Sequence, residues 1–316
     1  MNLRGTRLIA LCVLSLPLAG CRANRAGQKK LIEIIVPSQD NPFFRAEADA
    51  ASKRATELGY AVRVDSHDDD AYEQDNLIDV AIASNAAAII LDNAGADASV
   101  SAVRRATRAG IACFLIDREI NATGIAKAQV IADNDQGARL VAAEFARSLN
   151  AQGDYAELLG KESDTNAQVR TNGFHAILDQ DKGLKLVSAQ SANWSQSEAF
   201  QKTETILEAH ATIRGIIAGN DTMALGAVAA VKSAGLHNIT IVGFDGSPDA
   251  LAAIKAGDLE ATVLQPAVAI ARLAVEEADQ FLKTGTTGRP EKQIIPCELV
   301  TRQNVDDFGV FEKKSK

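Results

Sequence analysis

Residues 87–118 read AAIILDNAGADASVSAVRRATRAGIACFLIDR. Ala87 to Leu91 is a short apolar run of strand type, and Ile111 to Ile116 is a second. Between them Ala98 to Ala109 reads as a helix, closed by Gly110, where a left-handed residue is wanted. Short apolar runs that alternate with helices imply a parallel sheet with helices on its faces. Each strand also ends on a polar pair, Asp92-Asn93 and Asp117-Arg118.

The same rhythm extends in both directions. Upstream lie a strand from Leu31 to Val36, an alanine-rich amphipathic stretch to about Leu58, a strand from Ala61 to Val64 and a helix from Ala71 to Ser84. Gly59 and Gly124 fall at further helix or turn ends. After Ala132 the alternation restarts: helices 134–149, 166–180, 196–209, 221–235, 247–256 and 267–284 lead to strands 155–159, 184–189, 213–217, 239–243, 260–264 and one near 293–300. So many strand-helix units exceed one small doubly wound sheet, and two α/β domains fit better.

Composition agrees. The chain has 316 residues, 47% of them hydrophobic, enough for two ordinary cores. Its net charge is −8, and its one basic run is the short tail Lys313, Lys314, Lys316, which argues against nucleic acid as a partner. The start is different. Arg4 and Arg7 precede an apolar run from Leu8 to Leu18, which ends at Leu18-Ala19-Gly20-Cys21. A basic region, a short apolar region and a small-residue cleavage site make a secretory signal over residues 1–20. The run is too short to span a bilayer, which takes about 20 residues. The cysteine after the small pair resembles a bacterial lipobox. That resemblance implies acylation of Cys21, a lipidated tether over 21–30 and an exported protein held at a membrane, periplasmic or on the cell surface. Arg22 is not the usual inner-membrane retention residue. Cys113 and Cys297 lie in apolar strand-like runs; a disulfide is open to them, and two separate buried thiols fit better.

In open α/β sheets ligands bind beyond the carboxyl ends of strands. Those positions hold Asn41, Phe43 and Phe44, then Asn93, then Asp117 and Arg118; in the second half they hold Asn220, Phe244, Asp245 and Gln265, with Arg170 one turn into a helix and Trp194 after a strand. Such Asp and Asn residues also serve as helix caps, and Asp221 and Asp249 suit that role or another structural one. A whole set at successive strand ends points further. Planar hydrogen-bonding groups beside aromatic faces suit a small polyhydroxylated ligand in a cleft.

The segments Asn41-Pro42-Phe43-Phe44, Asp117-Arg118, Gly219-Asn220-Asp221 with Met223-Ala224-Leu225-Gly226, and Gly243-Phe244-Asp245-Gly246 resemble the periplasmic sugar-binding proteins of ABC importers, the ribose-binding type above all. The resemblance runs in order over nearly all of residues 31–300. It implies a type I periplasmic binding fold: two Rossmann-like parallel-sheet lobes joined by a three-segment hinge. The N-terminal lobe would hold 30–132 and 265–291, the C-terminal lobe 133–264 and 292–316. It also implies that the twelve residues just named bind a monosaccharide, with ribose first and another pentose or a short polyol next. Eleven match the ribose type, and Trp194 stands where a Phe is usual. The protein would be a monomer that performs no chemistry, uses no cofactor or metal, and hands its sugar to a permease coupled to an ATPase. The competing readings are a version that presents sugar to a chemoreceptor or sensor kinase, a sugar-responsive transcription regulator, and a sugar-acting enzyme.

Other signals point elsewhere. Asp65, Asp68, Asp69 and Asp70 lack the glycine turn and bidentate Glu of a calcium loop. His67, His175, His210 and His237 share no metal-ligand spacing. Gly160-Lys161 lacks the upstream glycine of a phosphate loop, and no nucleophile elbow occurs.

Overall fold

The computed structural model describes residues 29–314, so the expected signal and Cys21 lie outside the described residues. The chain begins with β1 (Leu31–Val36), α1 (Pro42–Glu57), β2 (Ala61–Ser66), α2 (Ala71–Ala83), β3 (Ala88–Leu91), α3 (Ser99–Arg108), β4 (Ala112–Ile116) and β5 (Ala128–Ala132). It continues with α4 (Asn134–Ser148), β6 (Gly153–Leu159), α5 (Thr165–Leu178), β7 (Leu184–Ser191), α6 (Gln196–Ala209), β8 (Ile213–Ala218), α7 (Asp221–Ser233), β9 (Thr240–Val242), α8 (Pro248–Ala256) and β10 (Ala261–Leu264). Last come α9 (Ala267–Thr284), β11 (Lys292–Ile295) and β12 (Glu298–Thr301).

These elements make two six-stranded sheets, in the orders β11-β5-β4-β3-β1-β2 and β12-β10-β9-β8-β6-β7. All pairings are parallel except that of β12, which runs antiparallel to β10. In the first lobe α1 packs with α9 and α2 with α3; in the second α4 packs with α5 and α6 with α7. Helices on both faces bury the strands completely, as in β3 and β4, so those strands read as unbroken apolar runs.

The two-lobed parallel fold is as expected, with two corrections. The strand β5 has no counterpart in the expected pattern, because Lys127 and Gln129 interrupt its apolar run. The single expected strand near 293–300 is two strands in different sheets. Pro296 lies between them; it has no N–H for a ladder and ends the first strand. β11 pairs with β5, so residues 292–295 belong to the N-terminal lobe and not to the C-terminal one as expected. The chain therefore crosses between lobes after β5, after β10 and between β11 and β12. Cys113 and Cys297 are separate buried thiols.

Seven helices open on an Asn, Asp or Ser whose side chain accepts from the first turn: Asn41, Asp70, Asp133, Asp164, Ser195, Asn220 and Ser247. Each such cap contributes about 1 kcal/mol. Capping and ligand binding do not exclude one another, because a capping oxygen leaves the rest of the group at the strand-end face.

Candidate functional site

A small cavity lies between the lobes, lined by Asn41, Phe43, Phe44, Asp117, Arg118, Asp164, Asn166, Arg170, Trp194, Asn220, Asp245 and Gln265. The loop after β1 with the first turn of α1, and the loop after β4, supply the first five, and the second lobe supplies most of the rest.

On the N-terminal side Asn41 Oδ1 accepts from the Phe43 amide at 3.0 Å, which caps α1 and leaves the Asn41 amide nitrogen for a ligand. Phe43 and Phe44 stack edge to face, and Phe43 meets Phe311, which sequence reading did not single out, at 5.4 Å. Asp117 has φ 56, a left-handed conformation that a non-glycine residue adopts only when its surroundings enforce it. Asp69, Trp194 and Asp245 share this feature around the same cleft, with φ of 60, 64 and 125. Burial pushes the Asp117 carboxyl up to about 6, with Asp164 adding to the rise and Arg118 opposing it.

Arg118 is 2% exposed. A lone buried guanidinium would cost several kcal/mol, so its partners decide whether it is tolerated. Nη1 meets Asp69 Oδ1 at 2.6 Å and donates to the Asn93 carbonyl at 3.1 Å. Nε lies 3.0 Å from Asp164 Oδ2, across the cleft, and 3.5 Å from Asp92 Oδ1. Its guanidinium carbon also lies 5.0 Å from the Phe44 ring centre.

On the C-terminal side Arg170 donates from Nε to Asn134 Oδ1 at 2.7 Å and from Nη1 to the Gly219 carbonyl at 2.8 Å. Its guanidinium lies on the Phe244 ring at 3.9 Å and faces the Trp194 ring at 5.4 Å. Asp245 Oδ1 accepts from Gln265 Nε2 at 3.1 Å and from Arg170 at 3.4 Å. Asn220 caps α7 through the Met223 amide. Asp221 turns away from the cavity: its oxygens accept from Thr262 Oγ1 at 2.6 Å and the Ser247 amide at 2.7 Å, a structural role.

Ten of the twelve expected residues line the cavity; Asn93 and Phe244 do not. Asn93 lies at a strand end, but its amide is spent on the backbone. Nδ2 donates to the Arg118 and Glu119 carbonyls, and Oδ1 accepts from Gly95 N. Phe244 is a platform under Arg170, packed also against Gly137. Sequence reading missed Asp164 and Asn166. Asp164 caps α5 while its other oxygen meets Arg118. Asn166 donates to Asp117 Oδ1 at 3.2 Å and accepts from Asn134 at 3.0 Å. Both stand between β6 and the first turn of α5, at a strand end like the others.

The same loops join the lobes directly. Ala96 N donates to the Ser163 carbonyl at 3.2 Å, and Lys161 Nζ to the Asp69 carbonyl at 3.0 Å. The site is a pair of facing loop clusters that close on a small, polar, aromatic-walled space. Among the described residues no group of His, Cys, Asp or Glu could hold a metal ion, and no helix is long and apolar enough to cross a membrane.

A family model described as a periplasmic binding protein domain matches residues 32–287. The chain belongs to the periplasmic binding protein family. It is similar to a D-apiose import binding protein of Paraburkholderia graminis, 53% identical over 305 residues, 96% of this chain and 97% of that one. It is also similar to a ribose import binding protein of Bacillus subtilis, 33% identical over 276 residues, 87% of this chain and 89% of that one. Among solved structures, an ABC transporter periplasmic solute binding protein from Actinobacillus succinogenes with bound D-allose matches with a TM-score of 0.83 at 27% identity, over 89% of this chain and 100% of that chain. As a member of this family the protein is a binding protein, not an enzyme.

Proposed function

We propose that this periplasmic binding protein carries a monosaccharide to an ABC permease, and that its cargo is D-apiose before ribose. The observation that carries the first part is the cavity. It lies beyond the strand ends between the two lobes, and both lobes contribute to its lining, as a cleft that closes on a small ligand requires. Carboxylate acceptors, guanidinium donors and amides that do both are spread around it, with Phe43, Phe44 and Trp194 for the C–H faces. The choice of sugar follows the 53% identical relative, which is named for D-apiose, a branched pentose. Trp194 supports it, because it departs from the ribose-type wall. The cavity-lining residues contact the sugar, and Asn93 and Phe244 hold Arg118 and Arg170 in place.

A thermal-shift screen over D-apiose, ribose, other pentoses, hexoses and polyols tests this. A ligand at a hundred times its Kd stabilises the native state by about 2.7 kcal/mol, which a melting curve resolves. D-apiose gives the largest shift on this reading. A larger shift with ribose moves the cargo back to ribose, and no shift with any sugar overturns the function.

We further propose export and acylation at Cys21, on the strength of Arg4, Arg7 and Leu18-Ala19-Gly20-Cys21.

A further inference from the structure

Trp194 is the cavity residue that departs from the ribose-type pattern, and its surroundings are shaped for an indole. Its six-membered ring lies on Gly160, where an added Cβ would come 2.0, 2.1 and 2.4 Å from Cη2, Cζ2 and Cζ3. Gly219 backs the same ring, with an added Cβ 3.0 Å from Cζ3. No other residue type leaves room for the ring at position 160. Trp194 is 7% exposed, and it and Asn193 are both left-handed, with φ of 64 and 51. Such backbone persists where the surroundings over-determine it.

The indole is therefore held fast, yet its one polar atom is unused. Trp194 Nε1 is buried and no group among the described residues accepts from it. Buried indole N–H groups ordinarily find an acceptor. Gln265 Oε1 is a second orphan on the cavity wall: its amide nitrogen is taken by Asp245, and its oxygen is buried without a donor. Arg118 Nε, the remaining lining atom without an ideal bond, faces the Asp164 carboxylate at 3.0 Å. One unused donor and one unused acceptor thus belong to two residues that line one small cavity, and a sugar hydroxyl both donates and accepts.

We propose that Trp194 Nε1 donates a hydrogen bond to the bound sugar, with Gln265 Oε1 accepting one, and that Gly160 and Gly219 form the seat that makes this possible. The inference rests on reading the cleft as a sugar site. A Phe in the same place would keep the aromatic face and lose the donor. The ligand class selected is a compact monosaccharide that turns a hydroxyl to a wall otherwise met by C–H groups. Sites built to bond a hydroxyl discriminate more sharply than apolar walls.

Two changes remove the donor: Trp194→Phe, and replacement of Trp194 by 3-benzothienylalanine, which keeps the ring shape and puts sulfur in place of N–H. Calorimetry uses whichever of D-apiose, ribose, other pentoses and polyols the unaltered protein binds tightest. The benzothienyl protein is expected to lose about tenfold in affinity, the effect of one unmade hydrogen bond to a ligand hydroxyl, with its melting temperature without sugar unchanged. Gly160→Ala is expected to weaken binding strongly beside Trp194 and much less beside Trp194→Phe, whose smaller ring needs no seat. If the benzothienyl protein binds as the unaltered one does, the donor role is overturned while the sugar reading stands. If the unaltered protein binds no sugar in calorimetry, the reading beneath it fails, and this inference fails with it.

Discussion

Asp117 is where the two lobes meet on one side chain. It ends β4 in a left-handed turn, accepts from Asn166 of the other lobe and retains lone pairs toward the cavity. Asp117→Ala is expected to abolish sugar binding by calorimetry while the fold survives, since each hydroxyl left without its acceptor costs roughly 1–3 kcal/mol. Near-normal affinity would remove Asp117 from the site. Its pH behaviour has a definite sign. Burial holds the carboxyl at about 6, and the anion is the better acceptor for hydroxyls. Affinity should fall as pH is lowered through that value, and the fall should vanish in Asp117→Asn. At the other end of the chain, Cys21→Ser should release the protein from the membrane fraction. Retention after that change would argue against the lipid anchor.

Helix α1 brings a different acid inside. Glu47 on its buried face and Asp92 after β3 are both fully buried, and none of their four carboxyl oxygens has a hydrogen-bond donor. Burial holds both well above the usual carboxylate range; the Asp92 charge adds to the rise at Glu47, and at Asp92 Arg118 opposes it while Asp117 adds to it. The folded chain thus retains protons that the unfolded chain gives up near pH 4. This contribution to stability is complete below that value and is lost as pH rises toward the folded values. Glu33 and Asp221, both held at about 7, act in the same direction. The melting temperature should fall between about pH 5 and 8, and Glu47→Gln, which needs no proton and can donate to Asp92, should make the fall shallower. An unaltered slope would show that the pair carries none of it. At this scale much of the fold was legible. Strands buried on both faces leave continuous apolar runs, and the Asn and Asp caps mark where helices begin. The strand β5 was hidden by Lys127 and Gln129, and β11 and β12 merged because their runs are separated only by Pro296 and Cys297. Asp164 and Asn166 read in the sequence as an ordinary helix cap and first turn, and nothing local tells that their remaining atoms meet Arg118 and Asp117 of the other lobe. The direction of a side chain at a strand end, which separates Asn93 from Asn41, is set by backbone neighbours distant in sequence.

The whole molecule is held closed by charges that alternate across the cleft. Lys161 meets Asp69, Asp69 meets Arg118, and Arg118 meets Asp164, so the chain of contacts passes from one lobe to the other and back. Sugar that touches both lobes must draw the population toward this arrangement. The radius of gyration by small-angle scattering should fall when sugar saturates the protein, and an unchanged value would argue against hinge closure. Asp164→Asn keeps the cap of α5, since Asn caps as well as Asp, and removes the charge that faces Arg118. Sugar should then dissociate on the order of tenfold faster in stopped flow, the usual signature of unpairing one member of a buried pair.

The late return of the chain to both sheets bears on how the protein is made. β11 covers the edge of β5, and β12 covers the edge of β10. Until synthesis passes residue 295 for the first sheet and 301 for the second, each presents a bare rim of backbone N–H and C=O groups there. A transcript cut short by as little as its last tenth would therefore yield two unfinished sheets rather than one sound lobe, each rim open to pairing with a neighbouring chain.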